Sequence, residues 1–309
     1  TIPEELPIII TMVLALGAFR LSKKNAIAKR LQAVETLGSV TVIATDKTGT
    51  LTENRMQAVA FEPQSHKDHL LEIGALCNDA LLHNALCSDA AQDRNDFAGD
   101  PLETALLRAA RDAGMDIPAL RRAYPLRGEF AFDTVRRRMS SIYRKDGGLW
   151  VAVKGAPEAI LERCTCRLAD EAVSSGETLP LGEGDRQTLL QKAAALAANG
   201  QRVIALAERT LPDGNPSREE AESGLVYLGL VGLADPPRAE VRTAIRTCQD
   251  AGIRTIMVTG DLPLTALAVA QQVGLDGGPS MLSGSQIDDL TDEELQDVVG
   301  RIAIFARAT

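Results

Sequence analysis

Aromatic residues are scarce in this chain, since phenylalanine, tyrosine and tryptophan make up 3% of its 309 residues. Proteins that bind single-stranded nucleic acid stack the bases on aromatic side chains, so this scarcity argues against that class. Basic residues are in the minority as well: 33 basic against 42 acidic side chains leave a net charge of −9. The composition therefore disfavours nucleic acid as a partner.

Cysteines are few and scattered. Cys77, Cys87, Cys164, Cys166 and Cys248 form no CxxC pair. Their odd number and irregular spacing favour reduced thiols in a cytoplasmic setting. Two neighbouring thiols could bind a metal, but without further ligands nearby Cys164 and Cys166 are better explained as structural. A secretory signal with a cleavage site is not visible either.

The uncharged stretch at residues 6–19 is too short to cross the roughly 30 Å apolar core of a bilayer. Taken alone it predicts a buried helix. A cluster of basic residues follows at positions 20–30, which is typical of the cytoplasmic side of a membrane helix. Before it, two prolines flank Glu4 and Glu5. Prolines free backbone carbonyls, and carbonyls beside carboxylates within a membrane predict a cation site.

What the chain does contain is the heptad DKTGTLT at residues 46–52, directly after the apolar run 40–44. The run predicts a strand that carries Asp46 to its C-terminal end, where open α/β sheets place reactive groups. The amides of Lys47 to Gly49 and the hydroxyls of Thr48 and Thr50 could cradle a phosphate. The pattern predicts that Asp46 attacks a phosphoryl group, with Mg²⁺ neutralising the charge and bound in part by Asp46.

The heptad resembles the phosphorylation motif of P-type ATPases, which are ion or lipid pumps of the haloacid-dehalogenase-like superfamily. The resemblance implies catalytic roles for Asp46, Lys47 and Thr48, with Asp46 and Thr48 at the Mg²⁺ site. Many phosphatases of that superfamily carry a second Asp, as general acid, where this chain has Thr48. Because a hydroxyl is a poor acid, the aspartyl phosphate should persist, as a pump requires.

The segment PEELP at residues 3–7 resembles the unwound centre of the fourth membrane helix in these pumps, where PEGLP is common in calcium-type members. Glu4 matches the glutamate that binds the transported ion. Glu5 replaces the usual glycine, which leaves the identity of the ion open. The resemblance implies that residues 1–22 are the cytoplasmic half of that helix and that residues 24–38 belong to the stalk. The alternative is an amphipathic helix on a soluble protein.

Between Met56 and Gly229 the pattern changes to mixed strands and helices, which predicts one inserted α/β domain. The expected strands are 57–61, 138–143, 149–153 and 202–207, and the expected helices are 68–78, 101–113, 157–163 and 186–198. A GxxxxGK[ST] phosphate loop does not occur anywhere in the sequence, so nucleotide binding would need other residues.

Two segments resemble the adenine side of P-type nucleotide domains. In FDTVRRRMS at residues 132–140, Phe132 would stack on the adenine with Met139 beside it, and Arg136 would reach phosphate or ribose. In GDPLETAL at residues 99–106, Glu103 is the adenine-side carboxylate.

Two further segments resemble the phosphate side of those domains. KGAPE at residues 154–158 matches the family without departure, with Lys154 at a strand end and Gly155 allowing a ligand to approach closely. QRV at residues 201–203 resembles the later arginine strand, in which Arg202 would hold phosphates.

The catalytic fold is expected to resume after DPPR at residues 235–238, which matches the hinge of the family. Asp235 would contact ribose or position domain closure, and a helix N-cap is the alternative. A strand at 254–258 and a helix at 264–273 enclose Thr259, Gly260 and Asp261, and such a helix start can bind an anion. A helix 239–251 and a strand 301–305 complete the expected elements.

The resemblance assigns roles here too. Thr259 would bind the transferring phosphoryl group. Gly260 and Asp261 would contact nucleotide, with a helix cap as the alternative for Asp261. Arg307, in a segment like the family's FAR, would lie near the phosphate.

These observations predict an α/β fold: a haloacid-dehalogenase-like Rossmannoid phosphorylation domain with a large inserted nucleotide-binding domain, preceded by half a transmembrane helix. The expected boundaries are 1–22 for the helix, 23–56 for the stalk and the start of the phosphorylation domain, 57–230 for the insertion and 231–309 for the second part. The family's catalytic lysine and TGDGVNDxP motif are expected after residue 309, and the actuator domain before residue 1. This portion alone is therefore expected to bind ATP weakly and to turn over poorly.

The resemblance implies a cation-transporting P-type ATPase of the calcium-pump-like or bacterial group, with ATP, Mg²⁺, a transported cation and the lipid membrane as partners. The expected location is the plasma or inner membrane of a bacterium, with this portion in the cytoplasm. Three alternatives stay open: a soluble haloacid-dehalogenase-like phosphatase, a nucleotide-binding module without chemistry, and a lipid-transporting relative.

Overall fold

A computed structural model of the chain describes residues 5–82, 97–169, 176–275 and 280–307. Glu4, the expected ion ligand, lies outside these ranges. The strands are β1 Val42–Asp46, β2 Gln57–Glu62, β3 Leu81–Leu82, β4 Phe97–Ala98, β5 Leu126–Asp133, β6 Arg138–Lys145, β7 Gly148–Gly155, β8 Cys164–Leu168, β9 Thr178–Pro180, β10 Arg202–Leu211, β11 Leu225–Ala234, β12 Arg254–Thr259, β13 Met281–Ser283 and β14 Ile304–Ala306.

Helices occur in every part of the described chain. They are α1 Glu5–Ser22, α2 Leu31–Gly38, α3 Lys67–Leu76, α4 Pro101–Asp112, α5 Ile117–Ala123, α6 Pro157–Leu161, α7 Glu183–Ala198, α8 Arg218–Ala221, α9 Val241–Asp250, α10 Pro263–Val273, α11 Gly284–Asp288 and α12 Asp292–Val299. The mixed α/β class expected from the sequence is confirmed.

The larger sheet has the order β5-β6-β7-β10-β11-β8-β9, with β2 also paired to β11. Its strands are antiparallel apart from the β8–β11 pair. Because strand side chains alternate between faces, β7 supplies Trp150 and Ala152 to a core with α3 and α4. Val151 and Val153 enter a second core with α6 and α7. The central strands of the sheet are therefore buried on both faces.

The smaller sheet has the order β1-β12-β14-β13, and all of its pairs are parallel. Asp46 is paired with Val258, and Thr259 with Ala306. The carboxyl ends of these strands therefore meet at one edge. Helices α9 and α10 pack on the sheet through Ile245, Val269 and Val273, around Met257 and Ile304. This arrangement suits the expected phosphorylation domain, whose haloacid-dehalogenase-like assignment stays a prediction.

Most of the expected elements are present to within a few residues, although the strand expected at 301–305 is found at Ile304–Ala306. Further elements were not expected: β3, β4, β5, β8, β9, β13, α5, α8, α11 and α12. β5 was not predicted, because its sequence contains no β-branched residue and includes Gly128 between two charged residues. β11 spans the expected boundary between residues 230 and 231 and pairs with β2 and β10 of the larger sheet. The chain therefore leaves that sheet after Ala234, next to Asp235.

Helix α1 exposes much of its apolar surface, including Ile8, Met12, Val13 and Phe19. Within the described ranges, no helix is both long enough and apolar enough to cross a bilayer. The assignment of residues 1–22 to half a membrane helix stays a prediction.

Candidate functional sites

The first candidate site lies at the carboxyl edge of the smaller sheet, where Asp46 ends β1. Asp46 is exposed, and its Oδ1 accepts a hydrogen bond of 2.8 Å from the backbone N–H of Lys47. The chain then turns sharply through Gly49, whose φ of 76° lies in the left-handed region that favours glycine. A strand end followed by this turn leaves the carboxylate open to a substrate.

Lys47 and Asp261 connect the two loops of this edge. Lys47 is buried, at 6% exposure, and its ammonium group forms an ion pair with Asp261. The N–H of Asp261 donates to Thr259 Oγ1 at 3.2 Å, and the N–H of Arg307 donates to the carbonyl of Asp261 at 3.1 Å. The sequence-predicted residues Asp46, Lys47, Thr259, Gly260, Asp261 and Arg307 thus come together.

Two helix-cap alternatives do not hold. Helix α10 begins at Pro263 with Leu262 as its N-cap and without a side-chain cap. Asp261 is therefore not that cap, because Lys47 engages its carboxylate instead. Helix α9 begins at Val241 after Glu240, too far along the chain for Asp235 to cap it.

Asp235 instead fastens the loop after Asp46. Its Oδ2 accepts a hydrogen bond of 2.5 Å from Thr52 Oγ1, and its Oδ1 accepts one of 3.0 Å from the N–H of Arg55. Arg238 adds a bond of 2.9 Å to the carbonyl of Gly49. The DPPR segment therefore ties the exit from the larger sheet to the loop that carries Asp46.

Few side chains at this edge could act as oxygen ligands to a metal ion. Among the described residues, no group of three or more His, Cys, Asp or Glu side chains could hold a metal ion. Asp46 and Thr48 nevertheless offer the oxygen ligands that Mg²⁺ prefers, and both residues are exposed. Because Mg²⁺ keeps several waters and takes ligands from substrate phosphates, two protein donors fit a partial site.

The second candidate site is a cavity of about 560 Å³ at the larger sheet. Its lining combines ends of β5, β6, β7 and β10 with the start of α4, the loop before it and the loop after α3: Asp79, Gly99, Asp100, Leu102, Glu103, Phe132, Arg137, Met139, Lys154, Gly155, Ala156, Arg202, Val203 and Ile204. The cavity lining and the Asp46 edge have no described residue in common.

A buried ion pair stands inside this cavity. Lys154 Nζ lies 2.7 Å from Glu103 Oε1, and their side chains are 6% and 11% exposed. Glu103 Oε2 also accepts the N–H of Asp79 at 3.0 Å. Burial of two charges costs free energy unless each finds partners. Because each charge keeps the other as its partner, both side chains are held in fixed positions and offer polar groups to a ligand.

Apolar and cationic groups complete the lining. Phe132 keeps 54% of its surface exposed, whereas Met139 is 1% exposed. Arg202 is exposed at the start of β10. An exposed ring and a buried thioether in the same cavity can both contact a flat heterocycle, and the arginine can face an anion.

Gly155 lines the cavity, and the structure gives a second reason for glycine at this position. A Cβ added there would lie 2.5 Å from the carbonyl of Arg137 and 2.6 Å from Arg138 Cβ. The close packing of β6 therefore requires glycine at this position, whether or not a ligand approaches it.

Arg136 lies away from the cavity and forms an ion pair with Glu222 instead. Arg136 and Arg138 both contact Glu222, whereas Arg137, which takes a left-handed φ in the turn between them, lines the cavity with Met139. Arg136, which was expected to reach phosphate or ribose, therefore does not line this cavity, whereas Arg137 does.

Three residues of this region were missed by sequence reasoning. The arginine run made Arg137 a visible candidate, but the turn in which Arg137 lies decides which arginine reaches the cavity, and the sequence does not show its conformation. Asp79 lines the cavity through the loop after α3, and nothing in the sequence marks it. Glu222 is 0% exposed and meets arginines more than eighty residues earlier in the chain, a contact that no local pattern reveals.

Comparison with known proteins shows the family to which the chain is related. A family model described as P-type ATPase, cytoplasmic domain N, matches residues 67–240. The chain is 37% identical, over its whole length, to a "Calcium-transporting ATPase 1" of Bacillus cereus and to one of Saccharomyces cerevisiae, and covers 35% of each. It is 35% identical over 99% of its length to "Cation-transporting ATPase pma1" of Synechocystis, and covers 36% of it. The chain thus spans about a third of the length of these relatives.

Proposed function

Because this chain belongs to the P-type ATPase family, with its central part matching the cytoplasmic domain N, we propose that it binds ATP and accepts the γ-phosphoryl group on Asp46 within an ATP-driven cation pump. The relatives of similar sequence are named calcium- or cation-transporting ATPases. The chain corresponds to about a third of them, so transport would be an activity of the full-length protein.

The cavity at the larger sheet is where the nucleotide binds in this proposal. Its volume of about 560 Å³ falls in the usual range for small-molecule sites. The adenine stacks on Phe132 and Met139, and Glu103 faces the polar edge of the base. Lys154, Arg137 and Arg202 supply positive charge for ribose and phosphates.

Phosphoryl transfer takes place at the edge of the smaller sheet. A carboxylate oxygen of Asp46 attacks the γ-phosphorus, the bond from that phosphorus to the bridging oxygen of ADP breaks, and ADP leaves with the electron pair. Lys47 and the hydroxyl of Thr259 face the phosphoryl oxygens. When bound, Mg²⁺ would supply charge neutralisation between carboxylate and phosphate, with Asp46 and Thr48 as its protein ligands.

One observation carries this proposal. The parallel register that pairs Asp46 with Val258 brings Asp46 and Thr259 to the same end of adjacent strands. The ion pair from Lys47 to Asp261 then holds both loops together. A nucleophile, a hydroxyl and a buried cation at one open edge support attack on a phosphoryl group.

Asp235 and Arg238 lie at the segment about which we expect the two domains to move. They fasten the loop after Asp46 at the point where the chain leaves the larger sheet. A domain closure that carries bound ATP toward Asp46 would turn about this segment. We assign Asp235 to positioning the closure, with Gly260, Asp261 and Arg307 near the arriving phosphates.

The transported ion is left open within the cations. Glu4 is its expected ligand, next to Glu5, and the membrane location with this portion in the cytoplasm belongs to the same proposal. Two adjacent carboxylates suit a divalent ion.

The test is labelling of the full-length protein with ATP that carries radioactive γ-phosphate, in the presence of Ca²⁺, Na⁺, K⁺ or Mn²⁺ with Mg²⁺ throughout. One of these ions should stimulate an acid-stable, hydroxylamine-labile label, and Asp46→Asn should abolish it. Asp213→Asn, a surface carboxylate paired with Arg144, should label normally.

Other results would favour the alternatives. ATP binding without any label, in the native protein and in Asp46→Asn alike, would favour a nucleotide-binding module without chemistry. Rapid hydrolysis of small phosphoesters without a stable label would favour a phosphatase.

A further inference from the structure

Glu222 is a buried carboxylate that takes no part in the chemistry described above. It follows α8 and precedes β11, and the residue is 0% exposed. Its Oε2 accepts a hydrogen bond of 2.8 Å from Arg138 Nε, and its Oε1 accepts one of 3.0 Å from Ser140 Oγ. Arg136 forms an ion pair with the same Oε1.

This group of one carboxylate and two arginines is placed where charge is costly. The side chains of Glu222, Arg138 and Arg136 are 1%, 7% and 15% exposed. A buried ion pair often adds little net stability compared with apolar packing, but loss of one partner strands the other charge. Such a network holds its members to one geometry.

The residues that contact Glu222 alternate along the chain with residues that line the cavity. Arg136, Arg138 and Ser140 face Glu222, and the intervening Arg137 and Met139 line the cavity. Arg136 also donates from Nη2 to the carbonyl of Ala131 at 2.7 Å. Glu222 is thereby connected to β5, the strand that carries Phe132.

The turn between β5 and β6 is strained at Arg137, whose φ of 51° is left-handed. Residues other than glycine keep this conformation only when their surroundings enforce it. Asp133 enforces it from one side, because its Oδ1 accepts the N–H groups of Val135 and Arg136 at 2.9 and 2.8 Å. These bonds, led by that of Arg136, also lower the pKa of Asp133.

We propose that Glu222 is a positioning residue of the nucleotide site: by fixing Arg136 and Arg138 it sets the β5–β6 turn, so that Phe132 and Arg137 face the ligand. This inference rests on the proposed ATP binding at the cavity. It assigns a role in recognition to a carboxylate that never touches the nucleotide.

The experiment compares Glu222→Gln with Glu219→Gln in the full-length protein. Gln keeps the shape of Glu222 but loses the charge and turns an NH₂ group toward an arginine or Ser140. Glu219 is a matched control, since its exposed carboxylate pairs with Arg163 outside the network. Equilibrium binding gives the Kd for ATP, phosphorylation kinetics give KM and kcat, and hydrogen exchange without nucleotide reports on amides 133–138.

For Glu222→Gln we expect a rise of about tenfold in Kd and KM for ATP, a kcat within about twofold of the native value, and faster exchange confined to the turn. Glu219→Gln should change none of these. Arg136→Gln should reproduce the effects from the less buried side of the network. The double variant should be no worse than either single one, because both break the same link.

Other results would contradict either the inference or the proposed function, and the readouts distinguish the two cases. Unchanged Kd and exchange in a folded Glu222→Gln would overturn the inference, as would a loosened turn with unchanged Kd. Faster exchange throughout the larger sheet would mean a merely structural role. If Glu222→Gln fails to fold, Arg136→Gln decides by the same readouts. A native protein that binds no ATP would overturn the proposed function and, with it, a role in recognition, even if the turn loosened.

Discussion

The eight-stranded and four-stranded sheets of this molecule differ in burial, and the difference is consistent with the chemistry proposed for each. The central strands of the larger sheet are covered on both faces, and the cavity of this sheet holds the buried pair of Lys154 and Glu103. The smaller sheet leaves Val42 and Ile43 of β1 exposed by 47% and 36%, and its Asp46 is open. Recognition of a nucleotide needs fixed, desolvated groups, whereas a nucleophile must be reached by a donor bound elsewhere.

The largest effect should come from the core of the larger sheet. Leu206→Ala removes a fully buried side chain on β10 and should lower the free energy of unfolding by about 2 to 5 kcal/mol. Urea unfolding of the chain, followed by the fluorescence of its single tryptophan, Trp150, measures this in the same core. Val42→Ala, on the exposed strand of the smaller sheet, should change that transition very little. Equal losses for the two variants would break the comparison.

A second prediction concerns the buried pair in the cavity. Lys154→Met should weaken ATP binding by about 10- to 100-fold, since hydrogen bonds to charged groups contribute about 1.5 to 3 kcal/mol. Lys192→Met is the control, because Lys192 is half exposed and pairs with Glu62 away from the cavity. Titration calorimetry gives both Kd values. An unchanged Kd for Lys154→Met would contradict the assignment of the cavity as the ATP site.

A third prediction concerns the exposed ring. Phe132→Ala should weaken ATP binding by about 1 to 3 kcal/mol through lost stacking on the base, and should leave the unfolding midpoint nearly unchanged because the ring is 54% exposed. Val135→Ala, 89% exposed at the same turn, should bind ATP normally. If Phe132→Ala weakened GTP and ATP binding to a comparable degree, the ring would stack on either base, and the edge of the base would not be recognised.

The smallest effect should be a pH dependence within the larger sheet. His69 Nε2 lies 3.1 Å from Glu208 Oε2, which also accepts the indole N–H of Trp150 at 2.8 Å. Burial lowers the pKa of His69, but the hydrogen bond and charge of Glu208 outweigh it, so the pKa lies above its usual 6.5. For Glu208, burial raises the pKa, and His69 with Trp150 more than offsets this and lowers it.

The sign of that dependence follows from the raised pKa of His69. The stabilisation is fully present below the unfolded value of 6.5 and is lost as pH rises through the folded value. His69→Gln should therefore cost about 1 kcal/mol or less near pH 6, and nearly nothing at pH 9. Urea unfolding at both pH values tests this. A cost that grows with pH would contradict the assigned direction.

The sequence was sufficient where local rules decide structure. The apolar run before Asp46 and the periodic segments of α4 and α7 were placed to within a few residues. Most residues of both sites were found through short motifs, because strand ends and the turns after them carry such groups. The roles of these residues stay proposals.

The sequence could not show how side chains are directed at a turn, or which residues distant in sequence come into contact. A run of three arginines does not reveal which side chains share a face, so Arg136 was chosen and Arg137 was not. β11 was divided at residue 230 because its apolar residues suit either sheet, and only pairing with β2 and β10 assigns it. Glu222 meets its partners through tertiary packing alone.

The most direct test of the division between the sheets uses two phosphoryl donors on the full-length protein: ATP, and acetyl phosphate, which has no nucleoside. In Lys154→Met, labelling by a fixed low concentration of ATP should fall at least about tenfold, while labelling by acetyl phosphate stays at the native level. Asp46→Asn should lose labelling from both donors and still bind ATP. If Lys154→Met lost labelling from both donors alike while staying folded, or if Asp46→Asn kept either label, the separation of recognition from phosphoryl acceptance would be contradicted.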